Sequence, residues 1–363
     1  MALKLTNFFV ISVAILLFIS IIGCSVPEPE QPLPADSPQP PDKITYTPSK
    51  PLDPEKPLPS LPSVKSIVEK PDKLSKLSSP NTNQKREIII TPNREILTAT
   101  FPVSVLDRDS KEIVFEKAPE RIVAFDSAAL EILFAIGEGS RVVATHDYVT
   151  YPREAAGIPR VGDAFNMDVE TIVGLEPDLV YLFYPSFKNQ LEEAGLNVLL
   201  IPTIDDDFRQ MAQHFRMWGS ITGAVNEAED LARDFESRIQ KIEYHLEPYN
   251  EGPSVFQDVG GLWAPGDNTL VGNVFQLLKL DNISGDIEGY AQVSPEILVE
   301  RNPQYIIASY GDSFTDDIAF KDILAVKNNS IYTPSEDLLS ISGPRFIEGV
   351  EELAEFIYPG ILR

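Results

Sequence analysis

The chain has 363 residues, enough for one large or two ordinary domains, and carries 30 basic and 55 acidic side chains for a formal charge of -25. That balance argues against nucleic acid or an anionic membrane face as the main partner. One cysteine, Cys24, excludes an intrachain disulfide and a Cys-based zinc cluster, and three histidines (His146, His214 and His245) leave little for a His-rich metal site.

The N-terminus reads as a targeting segment. Lys4 supplies a positive charge ahead of the apolar run Phe8 to Ile22, which is short of the ~20 residues needed to span a bilayer. The run ends in Ile21-Ile22-Gly23-Cys24. It resembles the bacterial lipoprotein signal, with Ile in place of the usual Leu and the bulkier Ile22 where a small residue is usual. The resemblance implies removal of residues 1–23 and lipid on the Cys24 sulfur, a firm anchor when two or three acyl chains are attached. An uncleaved membrane anchor with an incidental cysteine is the other reading. Residues 26–80 hold 15 of the 31 prolines. Such a stretch buries no core and favours extended polyproline-like backbone, so 24–93 reads as a tether, or less directly as a Pro-rich docking ligand.

Folded sequence is expected from residue 94. Two strands flank the turn Asp107-Arg108-Asp109-Ser110, and a third covers Arg121–Phe125. Strands and helices then alternate: a buried helix over Ala128–Ile136, strand "RVVAT", a helix over Val169–Leu175, strand "DLVYLFY", a helix around Leu191–Ala194, strand "NVLLIP" and a helix over Phe208–Gly219. This alternation predicts an α/β lobe, 94–223, with mainly parallel sheet. Ala228, Leu231, Phe235, Ile239, Ile242 and Leu246 step by three and four, marking one long helix within 224–249 that ends before Pro248. A second α/β lobe, 250–363, follows with "SVFQDVG", "PEILVERN", "QYIIASY" and a final helix Phe346–Ile357.

The two lobes share a motif. "MDVETIVGLEPDLVYL" and "VSPEILVERNPQYIIA" align with Glu170 and Glu296 at the same place, 126 positions apart, each followed seven residues later by proline. Asp168 and Ser294 suit the N-cap, Pro295 suits the first helical position, and both glutamates fall at the second. A carboxylate there complements the helix dipole by ~0.3–1 kcal/mol. A pair of acidic knobs, one per lobe, offered to a basic partner is the sharper reading.

Taken together, "APERIVAFDSAALEILFAIGEGSRVVAT", "IPRVGDAFNMDVETIVGLEPDLV", "WGSITGAVNEAEDLA", "YAQVSPEILVERNPQYII" and "ILAVKNNSIY" resemble the class III substrate-binding lipoproteins and periplasmic proteins of ABC importers for cobalamin, ferric siderophores and haem, over roughly residues 96–360. The resemblance implies two α/β lobes joined by a long helix, a ligand in the cleft between them, and Glu170 and Glu296 docking into arginine pockets of a permease dimer that works with its ATPase. It implies a monomeric, extracytoplasmic, lipid-anchored protein with no cofactor and no chemistry of its own.

Ligand loops in such folds follow the C-terminal ends of strands. Those loops offer Tyr148 and Tyr151, Phe165, Phe183, Tyr184 and Phe187 from the first lobe, and Trp263, Tyr290 and Arg345 from the second. Flat aromatic side chains suit a large planar ligand, and arginine suits a polar rim. Tyr148, Phe165, Phe183, Trp263 and Tyr290 lie at or near the positions where the resemblance implies cobalamin contacts, although each is equally compatible with core or rim packing. A corrinoid is the preferred ligand, a ferric siderophore the next, and haem the third, with His146, Tyr148 and Met167 as axial candidates. A surface adhesion or sensory lipoprotein is the alternative from another class.

Enzyme readings are poorer. "GDSFTDD" (311–317) resembles an esterase block, but no histidine follows residue 245, so a triad in that family's order is impossible. "GEGS" (137–140) lacks the third glycine of a dinucleotide fingerprint. "DDD" (205–207) suits a cation, but reads more readily as a solvated cap for the helix that follows.

Overall fold

The computed structural model describes residues 97–311, 313–335 and 337–363. By contacts the chain divides into Met1–Pro92 and Asn93–Arg363, and the structure below belongs to the second unit. The expected signal segment, Cys24 and the Pro-rich stretch lie outside the described residues. Among the described residues no helix is long and apolar enough to cross a membrane.

An antiparallel hairpin, β1 (Val103–Leu106) and β2 (Glu112–Phe115), opens the unit. Its turn is held by Asp107, whose carboxylate accepts from the Asp109 and Lys111 N–H groups at 2.8 Å and from Lys188 Nζ at 2.7 Å. The first lobe then runs β3 (Ile122–Phe125), α1 (Ser127–Ala135), β4 (Val142–Thr145), α2 (Val169–Gly174), β5 (Leu179–Leu182), α3 (Lys188–Glu193), β6 (Val198–Leu200) and α4 (Met211–Thr222). The four strands β3 to β6 form one parallel sheet in the order β4-β3-β5-β6. β3 and β5 are buried at every position, as continuous apolar runs in a sheet covered on both faces should be. The helix expected from Phe208 begins as a 3₁₀ turn over Phe208–Gln210, capped by the Asp207 carboxylate on the Arg209 N–H, and becomes α-helical at Met211.

Gly223, with φ 89°, ends α4 in the left-handed conformation that glycine tolerates best. The chain turns at once into α5 (Val225–Leu246). α5 buries Ala228, Ala232, Phe235, Ile239, Ile242 and Leu246. Leu231, expected on that stripe, is only half buried; Ala232 takes the fully buried place beside it. A methyl group built at Gly219 of α4 would lie 2.3 Å from the Ala228 side chain, so glycine is what lets these two helices approach so closely.

The second lobe runs β7 (Ser254–Asp258), β8 (Trp263–Pro265), α6 (Leu270–Leu277), β9 (Asp281–Asn282), β10 (Tyr290–Gln292), α7 (Pro295–Arg301), β11 (Tyr305–Ala308), α8 (Leu324–Lys327), β12 (Ile331–Tyr332) and α9 (Phe346–Ile357). Its parallel sheet is ordered β12-β11-β7-β9. Read from β9, this is the order of the first sheet. β3-α1-β4-α2-β5-α3-β6 corresponds to β7-α6-β9-α7-β11-α8-β12, with the antiparallel ribbon β8–β10 inserted. The sequence motif around the two glutamates is thus the best-preserved part of a repeat that spans both lobes. One apolar core, holding Trp218, Phe235, Phe275 and Phe346, runs through both lobes and the connecting helix. Separate clusters fill the other face of each sheet. The molecule is an α/β class III binding-protein fold: two lobes with parallel sheets joined by one long helix.

Candidate functional site

Two sites emerge: the loops at the C-terminal ends of the strands, and the paired helices α2 and α7.

In the first lobe, the residue after β3 is Asp126. Its carboxylate caps α1 by accepting from the Ala128 and Ala129 N–H groups at 3.2 and 3.3 Å, and burial pushes its pKa up to about 6. Ser127 Oγ lies 3.0 Å from Nε2 of His146, which follows β4. The Tyr148 N–H donates to His146 Nδ1 at 3.3 Å. Nδ1 is therefore the acceptor, Nε2 carries the proton, and the imidazole donates to Ser127. This is the reverse of what a general base acting on a serine requires. Burial, helped by the Arg160 charge, lowers the His146 pKa to about 4.

Between about 4 and 6.5 the unfolded chain binds a proton at this position that the folded chain does not. His146 therefore costs stability as pH falls through that window, while Asp126, shifted the other way, gains it over its own. The His146 ring resonances followed by NMR should show a midpoint near 4; a midpoint near 6.5 would contradict the buried, donor-to-serine arrangement.

Tyr148 is 42% exposed, and its hydroxyl donates to Asp163 Oδ2 at 3.4 Å. Asp163 Oδ1 accepts from the Phe165 and Asn166 N–H groups at 2.8 Å, shaping the tight turn that leaves Phe165 60% exposed at its tip. Gly162 is required at the base of this turn: its φ is 92°, and a Cβ there would sit 1.9 Å from the Asn166 carbonyl oxygen. The Phe165 and Tyr184 rings lie 6.3 Å apart, and Tyr184 is 6.4 Å from Phe183. Phe183 is half buried against the outer core of the first lobe, so packing claims much of its surface.

In the second lobe, Trp263 and Tyr290 stand on the β8–β10 ribbon, which the sequence patterns did not reveal. Trp263 pairs directly with Gln292, two residues from Tyr290, so Trp263 and Tyr290 share one face. Arg345 lies where the lobes meet. Its Nη2 donates to Glu131 Oε1 of α1 at 2.7 Å, and its guanidinium carbon stacks 3.6 Å from the centre of the Tyr151 ring. Glu131 is 3% exposed; burial raises its pKa while Arg345 lowers it. Two further hydrogen bonds tie the lobes, Leu270 N–H to the Asp205 carbonyl at 2.7 Å and Ser342 Oγ to the Ile204 carbonyl at 3.0 Å. Among the described residues no group of three or more His, Cys, Asp or Glu could hold a metal ion.

The second site repeats across the lobes. Asp168 and Ser294 cap α2 and α7, accepting from Thr171 N–H at 2.9 Å and Ile297 N–H at 3.4 Å. Glu170 and Glu296 are exposed in the first turns and have no ion-pair partner among the described residues. The Glu296 backbone N–H and Ser294 hold the Glu296 carboxyl below its usual range. Further along, Ile172 and Leu298 are fully buried, Val173 and Val299 are 39% and 40% exposed, and Glu176 and Asn302 both adopt positive φ, 48° and 45°. Side chains and backbone match at the same 126-residue offset, so each lobe presents an equivalent acidic helix start.

Comparisons with known proteins agree with this architecture. A family model described as "Periplasmic binding protein" matches residues 122–338. The chain is 32% identical over 278 residues to the uncharacterized ABC transporter substrate-binding lipoprotein YvrC of Bacillus subtilis, covering 72% of this chain and 87% of that one. It is 24% identical to the cobalamin-binding protein of Halobacterium salinarum over 70% of this chain and 74% of that protein. A crystal structure of a possible iron-binding (periplasmic solute-binding) protein from Staphylococcus epidermidis superposes with a TM-score of 0.59 at 25% identity, covering 67% of this chain and all of that one.

Proposed function

The chain belongs to the periplasmic binding protein family of ABC-importer substrate-binding proteins, and from that premise we propose that it captures a corrinoid outside the cytoplasmic membrane and delivers it to a permease. Lipid on Cys24 holds it at the membrane in this reading, and Glu170 and Glu296 dock it on the two permease subunits through charge-assisted pairing with arginine.

The ligand class rests on exposed aromatic side chains at the strand ends of both lobes and on the pairing of Arg345. Tyr148, Phe165, Tyr184 and Tyr290 are each at least 36% exposed and come from both lobes, with Trp263 and Phe183 beside them as further contacts. Arg345, the cation expected to meet the ligand rim, is neutralised by the buried Glu131 carboxylate, so it meets a ligand as half of a neutral pair. That pairing favours a large chelate with an uncharged amide rim over a catecholate siderophore or a haem with free propionates; Arg160, beside His146 and without an ion pair among the described residues, is the cation left for an acidic ligand. The cobalamin-binding relative supports the same choice; the possible iron-binding neighbour keeps a ferric siderophore as the second reading.

The test is uptake. Cells lacking this gene should lose accumulation of labelled cyanocobalamin at limiting concentration and regain it with the gene on a plasmid. Undiminished uptake, together with lost uptake of ferrichrome, would replace the corrinoid with an iron chelate.

A further inference from the structure

The matched order of the two sheets turns the 126-residue offset into a position-by-position guide. Leu182, the last residue of β5, corresponds to Ala308, the last of β11. In the register of each sheet these residues pair with Phe125 and Asp258, the last residues of β3 and β7 respectively. Two positions beyond each strand stand Tyr184 and Tyr310. Tyr184 is 39% exposed and Tyr310 56% exposed. The Tyr310 ring lies along Gly260, which follows β7: a Cβ at Gly260 would sit 3.5 Å from the ring. The backbone that begins at β7 therefore runs beside this ring and continues to Trp263.

A second observation marks the same corner. Gln257, near the end of β7, is 2% exposed and donates through Nε2 to the hydroxyl of Ser309, the neighbour of Tyr310, at 2.9 Å. Its Oε1 has no hydrogen-bond partner. Turning the carboxamide over would leave the nitrogen in that position instead, so one polar atom is unmatched either way. A buried polar atom left unsatisfied costs about 1–3 kcal/mol, so this corner carries an unmet hydrogen bond next to Tyr310.

We propose that Tyr310 is a ligand-contacting residue, the second-lobe mate of Tyr184, which places its ring against a flat face of the ligand beside the Gln257–Ser309 pair. The inference rests on the binding reading above. It gives the binding site one tyrosine at the same place in each half of the repeat, one from each lobe.

The experiment titrates the full chain in detergent with cyanocobalamin, ferrichrome and haem, then repeats the titration on variants with whichever probe the wild type binds. Tyr310→Ala should weaken binding at least tenfold, as should Tyr184→Ala, while Tyr310→Phe stays within threefold. Tyr244→Ala, on an exposed face of α5, serves as the unaffected control. Unfolding midpoints equal to wild type would show that the fold is intact, as expected for so exposed a side chain. Wild-type affinity in Tyr310→Ala alongside a loss in Tyr184→Ala would overturn the inference and leave the binding reading standing. Failure of the wild type to bind any of the three probes would overturn both.

Discussion

Reversing both acidic helix starts, Glu170→Lys with Glu296→Lys, should abolish stimulation of the partner ATPase while leaving ligand affinity within twofold of wild type. Each glutamate is exposed at the second position of its helix, and neither has a charged partner of its own among the described residues. A lysine in the same place replaces attraction to a guanidinium with repulsion of similar size on each lobe. It also opposes the helix dipole, by roughly 0.3–1 kcal/mol per helix, too little to unfold the lobe. Each single reversal should leave partial stimulation, since the two knobs lie on separate lobes. ATPase stimulation measured in nanodiscs containing the permease decides the matter; full stimulation by the double variant would leave the two carboxylates with favourable placement at the helix dipole as their only role.

The second large effect concerns stability. Arg345→Met should destabilise the folded unit by about 3–5 kcal/mol, because it strands the Glu131 carboxylate in a buried position without its counter-charge. Asp126 and Glu348 add to the penalty, since both charges oppose ionisation of Glu131. The deficit should shrink as pH falls. Glu131 already has a raised pKa with Arg345 present; without the guanidinium it rises further, and protonation then removes the unpaired charge. Adding Glu131→Leu to Arg345→Met should recover most of the loss, as apolar replacements of buried pairs commonly do. Urea unfolding at neutral and mildly acidic pH measures all three variants. A deficit below about 1 kcal/mol for Arg345→Met would mean that the pair behaves as a surface salt bridge.

Local signals carried much of this fold. The N-caps Asp168 and Ser294, the proline at the first position of α7 and the 3.6-residue stripe of α5 are short-range features, and the helices appear where those residues place them. The final helix, Phe346–Ile357, has the predicted bounds. β9 and β12, with two residues each, and the β8–β10 ribbon are too short to show a period, and pairing across the chain creates them. Leu231 and Ala232 show a limit of the stripe argument: close packing of α5 against its neighbours favours the small side chain at the deepest point.

The candidate site was legible as a list of residue types and opaque as a set of partners. Arg345 and Glu131 are 214 positions apart, and no local pattern links them. A hint was present in "SAALEILFA", where one acid interrupts an otherwise apolar buried helix and so calls for a cation from elsewhere. Tyr310 ends the expected strand "QYIIASY", where no local pattern marks it as a ligand contact. The matched order of the two sheets makes the 126-residue offset structural and so identifies it as the counterpart of Tyr184.

Calorimetric titration of the protein with cyanocobalamin, ferrichrome and haem under identical conditions decides which ligand it takes. Saturable one-to-one binding of cyanocobalamin in the nanomolar to micromolar range, with the two iron chelates at least a hundredfold weaker, is the expected result. Tight binding of ferrichrome or haem with no response to cyanocobalamin would contradict it.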